Sequence, residues 1–306
     1  MMAGLVRRLS GVVLVLIGVM LLIFVMLRII PGDPASVLLN EHVSPATIEK
    51  LTESMGLNKS LPEQFWDYLK GVLKGDFGES YYLHQSVNAL MTEAFPYTIR
   101  LACMAAAFAW CFGIFSGIIS VIRYERLLDY LFRGLSLLGI SVPIFMVALF
   151  LQYLLYYRWS LVPLTYDGSI FSLILPAVVL GWDSAGSIAR LTRSGLIEQM
   201  GEPYIDTAKA KGLIHAKAVW THALRNAILP VITMMALQLS GMLSGAVITE
   251  SIFGIPGLGR LALTAIQTRD MPLLQGTVLF SAFLIALGNM AADIINTLLD
   301  PRRRWG

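Results

Sequence analysis

The sequence predicts an all-α polytopic membrane protein, and three observations carry that prediction. Of 306 residues, 56% are hydrophobic and only 14% charged, with a mean hydropathy of +0.69. A soluble domain is typically ~25% charged, so this chain lacks the polar residues to cover a water-facing surface. Six apolar runs reach the ~20 residues that a bilayer-spanning helix needs. Lys and Arg gather in alternate connections between those runs.

The runs cover residues 9–30, 96–122, 133–157, 170–189, 228–249 and 277–298. The first follows Arg7 and Arg8 as a signal peptide would, but its apolar stretch exceeds the ~7–15 residues of a signal core. Pro31-Gly32-Asp33-Pro34 follows it instead of a small-residue cleavage site. A retained helix is therefore expected. Six spans put both termini on one side. Fourteen of the 23 basic residues fall on that side, and 12 of the 20 acids fall on the other. The positive-inside rule makes the terminal side cytoplasmic. A net charge of +3 gives no indication of nucleic-acid binding.

Residues 31–95 form the largest external segment. Ser44 and Pro45 suit the start of one short helix. A second runs through SLPEQFWDYLKGVLKGDFG, where Phe65, Leu69, Val72 and Leu73 share one face. A plug between spans and a docking surface for an external partner both fit this segment.

The fourth and fifth spans are joined by a polar, helix-prone stretch, residues 190–227. Tyr204 to Lys211 is rich in small and basic residues and ends at Gly212, a good helix terminator. Ala216, Val219, Trp220, Ala223, Leu224 and Ala227 then recur at helical spacing, with Lys217, Thr221, Arg225 and Asn226 opposite. Such a helix rests its apolar stripe on the membrane domain and turns its polar side to the cytosol. Insertion into a soluble partner and simple interfacial lipid contact both fit that pattern.

Within the spans, ionisable groups are costly and tend to face a cavity or a partner. Asp183, beside Trp182, is the clearest case, and contact with a cationic substrate stands beside pairing with a neighbouring helix. Gln238 and Met242 are further candidate lining residues, as are Met234 and Met235, which packing would explain equally well. Gly241 and Gly245, one turn apart, suggest close helix packing. Pro143, Pro176 and Pro230 are candidate kinks. Asn289 and Asp293 share a face near the cytoplasmic end of the last span. Residues 250–276, with Glu250, Phe253, Arg260, Arg269 and Asp270, suit either an external gate or a re-entrant turn. Cys103 and Cys111 are eight helical residues apart, ~12 Å, too far for a disulfide. The four histidines are scattered, so no metal site is expected. No G-x-x-x-x-G-K-[ST] loop is present, so no nucleotide site is expected either.

An ordered set of motifs gives these features a common context: Pro31-Gly32-Asp33-Pro34, Met55-Gly56-Leu57, Gly75-Asp76-Phe77-Gly78, Tyr204 to Gly212, His222 to Pro230, Glu250 to Arg260, Arg269-Asp270 with Pro272, and Asp300-Pro301-Arg302. Together they resemble the peptide/nickel-type permeases of bacterial ABC importers over nearly the whole chain. Two departures stand out. Asp206 and Thr207 replace the general Glu and Ala of the cytoplasmic loop, and Gly212 and Pro230 are further apart than in the general importer loop.

The resemblance implies a type I importer permease fold, a single transmembrane domain over residues 1–306, and a bacterial inner-membrane location. It implies no cofactor in this chain, since ATP and Mg would be bound by partner subunits. The expected partners are a second, homologous permease, two ATPases on the cytoplasmic side and an external solute-binding protein. Tyr204, Asp206, Thr207, Ala208, Lys209, Lys211 and Gly212 would form the ATPase-coupling loop. Trp182, Asp183, Gln238 and Met242 would line the pathway, and Glu250, Phe253, Arg260 and Asp270 the external gate. Peptides are the expected cargo, with nickel or a metal chelate and glutathione-like compounds as alternatives. A stand-alone secondary carrier is the competing class, but no inverted repeat is apparent. A membrane enzyme would need a catalytic constellation, and none is apparent.

Overall fold

A computed structural model describes residues 2–29 and 58–299. The motifs at 31–34, 55–57 and 300–302, the helix expected from Ser44, and the arginines at 302–304 lie outside the described residues. Five described helices are long and apolar enough to cross a membrane, and a bent pair makes a sixth candidate. The chain divides into two compact units. One holds the residues up to Thr98 with Pro256–Ala286, and the other holds Ile99–Ile255 with the residues from Leu287.

In the first unit, α1 (Met2–Ile29) is followed by the amphipathic α2 (Leu61–Leu73). The Glu63 carboxylate accepts the Ser60 backbone N–H at 3.0 Å and its hydroxyl at 2.8 Å, which fixes the start of α2. These bonds, the hydroxyl's first, hold the Glu63 carboxyl below the usual carboxylate range. Three of the four residues of the predicted apolar face of α2, Phe65, Leu69 and Val72, are half-buried. Phe65 packs edge-on to Phe24 at 5.2 Å, whereas Leu73, at the helix end, is 78% exposed.

Gly75-Asp76-Phe77-Gly78 forms a tight turn. Gly75 and Gly78 adopt φ of +75° and +84°, a region costly to any residue with a Cβ. The Asn88 side chain closes this turn by accepting from Phe77 N–H at 3.1 Å and donating to the Gly75 carbonyl. The start of α3 (Val87–Ile122), α10 (Leu258–Gln267) and the start of α11 (Met271–Leu299) enclose a core of Val87, Met91, Ala94, Leu258, Ala265 and Leu273.

In the second unit, the rest of α3 meets α4 (Leu127–Ser141), α5 (Ile144–Gln152), α6 (Ile174–Met200), α7 (Pro203–Ala210), α8 (His215–Leu243) and α9 (Val247–Ile252). The third predicted span, 133–157, is not one straight helix. It breaks at Val142-Pro143, where the helical segments on either side meet at 111°. Proline clashes with a helical predecessor, and Val142 is accordingly extended, at φ −91°, ψ 127°. Pro176 does not kink α6, because it lies in the first turn, where its missing N–H has no partner to lose. The predicted loop 190–227 is largely helical, since charge ended the apolar run without ending α6.

Helix packing in this unit rests on glycines of α3 and α6. A Cβ on Gly181 would stand 2.5 Å from the Ala105 carbonyl oxygen, and one on Gly113 would stand 2.7 Å from Ile188 Cγ2. Small residues let the two backbones approach this closely. Gly241 and Gly245, predicted to pack helices, do not. Gly241 has no neighbouring atom where a Cβ would stand, and Gly245 lies beyond the end of α8 at φ +111°. Gly181→Val is expected to destabilise the protein by about 1–3 kcal/mol through overpacking, read as a lower melting temperature in detergent. Gly241→Ala, facing open space, should leave that temperature nearly unchanged.

Candidate functional site

Two places in the second unit gather the residues singled out from the sequence. The first is α7 and its seat. Pro203 opens this helix, and Gly212, at φ +88°, turns the chain away after it. Ile205 is fully buried and Ala208 is 7% exposed. Ile205 joins a core with Ile118, Val121, Leu196, Val219, Ala223 and Ala227. Tyr204 is held at the edge of the seat: its hydroxyl donates to Gln199 Oε1 at 2.8 Å and accepts from Asn226 Nδ2 at 3.2 Å. Asp206, Thr207, Lys209, Ala210 and Lys211 face outward. Asp206 and Lys209 form a loose exposed pair at 3.7 Å.

The apolar stripe predicted from Ala216 is interrupted. Val219, Ala223 and Ala227 are buried, but Trp220 is 52% exposed. The cause is a π-helical turn over Val219–Ala223. Its i→i+5 bonding takes up an extra residue, so the 3.6-residue register is lost there. Lys217, Thr221, Arg225 and Asn226 remain exposed, as their pattern predicts.

The second place is a cavity of about 670 Å³ among α4, α5, α6 and α8. Trp182, Asp183, Gln238 and Met242 all line it, together with Pro143 and Met234. Met235 packs elsewhere, against the core of Ala109, Ala185, Ile188 and Val231. Trp182 stacks on Phe112 at 5.8 Å and Phe108 at 6.2 Å, which fixes the wall beside Asp183. Gln238 Oε1 is buried without a donor. The Asp183 carboxylate gives the cavity wall an acceptor able to take hydrogen bonds from a cation. The bend matches the reading of Pro143 as a candidate kink, but neither its 111° size nor its place in the cavity wall follows from a single apolar run.

The four residues expected at an external gate are divided. Glu250 and Phe253, both buried, belong to the second unit, and Arg260 and Asp270 to the first. The Phe253 carbonyl accepts from Tyr166 N–H at 2.8 Å. Buried Asp270 caps α11 by accepting Leu273 N–H at 3.1 Å, and it also accepts the Ser80 hydroxyl and the Tyr82 N–H. Burial, with the Asp270 charge adding to it, pushes the neighbouring Tyr81 phenol up. Arg260 is exposed.

One charged site escaped the sequence reading altogether. Asp129, with no exposed side-chain surface, takes both Nε and Nη2 of Arg193 at 3.0 Å. An acid two residues into a helix and an arginine 64 positions away share no local signal.

The helical architecture is that of an ABC importer permease. It is similar in fold to the methionine transporter MetNI in its inward-facing conformations, with a TM-score of 0.58 and 15% identity, over 69% of this chain and 96% of that one. The chain belongs to the family of binding-protein-dependent transport system inner membrane components, whose model matches residues 109–305. The amino-terminal model of such membrane components matches residues 1–102.

The chain is 36% identical to the dipeptide transport system permease protein DppB of Escherichia coli (strain K12), over 99% of each chain. It is 37% identical to the di/tripeptide transport system permease protein DppB of Pseudomonas aeruginosa (strain UCBPP-PA14), over 99% of each. A putative peptide transport system permease protein of Brucella abortus (strain 2308) is 36% identical over 100% of each. The protein is thus a multi-pass inner-membrane permease subunit, a transport component and not a catalytic one.

Proposed function

We propose that this chain forms half of the pore of a peptide importer, with a second, homologous permease as the other half. Two ATPases take up the outward face of α7 on the cytoplasmic side, and an external solute-binding protein delivers di- or oligopeptides. Both termini are cytoplasmic, following the basic connections. ATP-driven closure of the ATPases moves α7, and the buried seat of Ile205 and Ala208 passes that motion to the spans as a rigid-body shift. Glu250, Phe253, Arg260 and Asp270 belong to the outer segments of the permease, where Asp270 and Phe253 hold backbone in place.

The observation that carries the substrate reading is the cavity. Asp183 and Gln238 line a space within the ~300–1,000 Å³ range of ligand pockets. A peptide's terminal ammonium supplies the positive charge and the donors that the Asp183 carboxylate lacks. The names of the full-length relatives support the same cargo.

The test is uptake by the assembled transporter in proteoliposomes. Asp183→Asn is expected to lower uptake of a free dipeptide about tenfold, a charge-assisted bond being worth roughly 1.5–3 kcal/mol. It should leave ATP hydrolysis without substrate unchanged. Equal uptake of the dipeptide by wild type and variant would refute the role of Asp183. ATP-dependent uptake of nickel or a metal chelate without peptide uptake would refute the peptide assignment itself.

A further inference from the structure

A second cavity in the same unit, about 460 Å³, lies between α4 and α6; it shares Ile140 with the Asp183 cavity, but arginines line it in place of a carboxylate. Arg133, Arg190 and Arg193 all line it. Arg193 is neutralised by Asp129. The charge of Asp129 reaches Arg133 as well, and the Arg133 guanidinium lies 5.7 Å from the Tyr130 ring centroid, but among the described residues this one carboxylate faces three lining arginines, so two positive charges are left unbalanced. Leu137, Ile140 and Ala189 make the wall beyond the arginines. Arg133, Leu137 and Ile140 follow at i, i+4 and i+7 along one face of α4, so the lining changes from cationic to apolar over ~10 Å. Gly134 faces the cavity with no atom within 4 Å of where a Cβ would stand, which leaves the space open. Tyr130 and Leu137, 57% and 62% exposed, form its outer edge.

An open cavity that is doubly cationic at one end and apolar at the other matches an amphipathic anion. Arg190 and Arg193 lie in the carboxy-terminal half of α6, which leads into α7, and Arg133 of α4 lines the same cavity. We infer that this cavity holds the phosphate headgroup of an anionic phospholipid from the leaflet on the α7 side. Arg133 and Arg190 grip the phosphate, and an acyl chain lies along Leu137 and Ile140. The Asp129–Arg193 pair positions the floor of the site without supplying net charge. Basic pockets between spanning helices recognise anionic headgroups in this way. At about 1 kcal/mol per arginine, two unbalanced charges give roughly a 30-fold preference over a zwitterionic lipid. The inference needs only that the chain is a membrane protein, and it stands or falls independently of the cargo.

The experiment uses the full chain in mild detergent. Its melting temperature is read with added phosphatidylglycerol, phosphatidylcholine or inorganic phosphate, and co-purifying lipid is quantified by mass spectrometry. Phosphatidylglycerol is expected to raise the melting temperature of wild type and to be enriched over phosphatidylcholine. Arg133→Gln with Arg190→Gln should lose both effects while melting near the wild-type value without lipid, because the Asp129–Arg193 pair is untouched. An equal response to phosphatidylcholine, or a phosphatidylglycerol response unchanged in the double variant, would overturn the site. A full response to inorganic phosphate would overturn the lipid assignment in favour of a free-anion site. A photo-crosslinker at Leu137 that captures the partner permease in the assembled transporter, and no lipid, would likewise overturn it.

Discussion

Ala208→Trp is expected to abolish coupled transport and to loosen the membrane domain at the same time. Ala208 is the small inward-facing residue of α7 and lies one turn from fully buried Ile205. An indole there cannot fit, and overpacking at about 1–3 kcal/mol lifts α7 from its seat. That corresponds to a roughly 5- to 150-fold loss of the correctly placed helix. Ala210→Trp is the companion variant. Ala210 faces outward, so its bulk meets only what docks on α7. It should leave the melting temperature of the isolated chain unchanged while lowering ATPase association and uptake. The pair separates the two roles proposed for this short helix, transmission by its inner face and ATPase binding by its outer face. Normal ATPase association and uptake in Ala210→Trp would remove the docking role. Normal uptake in Ala208→Trp would remove the need for a fixed seat.

The second large effect is expected at the Asp129–Arg193 pair. Arg193→Leu leaves the Asp129 carboxylate, which has no exposed surface, with only the Glu125 N–H and the more distant charge of Arg133, and breaking a buried pair from one side typically costs about 3–5 kcal/mol. The variant is expected to aggregate or to elute as a misfolded species on extraction. Removing both charges, with Asp129→Leu added, should restore much of the lost stability, because no unpaired charge remains. The readout is the monodisperse fraction together with the melting temperature. Equal damage in the single and double variants would mean that the pair contributes packing alone. The expectation follows from the geometry: both oxygens of Asp129 are engaged, and Glu125 N–H adds a third bond at 3.2 Å.

These residues also show where reading a sequence stops. Composition and six apolar runs were enough for the all-α membrane class, because hydrophobic length is a property of each segment by itself. The end of α7 at Gly212 was legible for the same reason, since a left-handed turn is set locally, whereas the Ser60–Glu63 cap of α2 was not read although its signal is equally local. The gathering of Trp182, Asp183, Gln238 and Met242 was legible only as a set of separate polar or adaptable positions in spans.

What the tertiary structure decided is everything that depends on which helix faces which. It placed the packing glycines at 113 and 181 and put Gly241 against open space. It turned Trp220 outward through a π turn that no 3.6-residue pattern foresees. It broke the third span at Pro143 and so shaped the cavity beside Asp183. It also joined Asp129 to Arg193 across 64 residues. Local propensity and span length are written along the chain, whereas cavities, buried ion pairs and close helix crossings come from contacts between distant segments and exist only once the helices have packed.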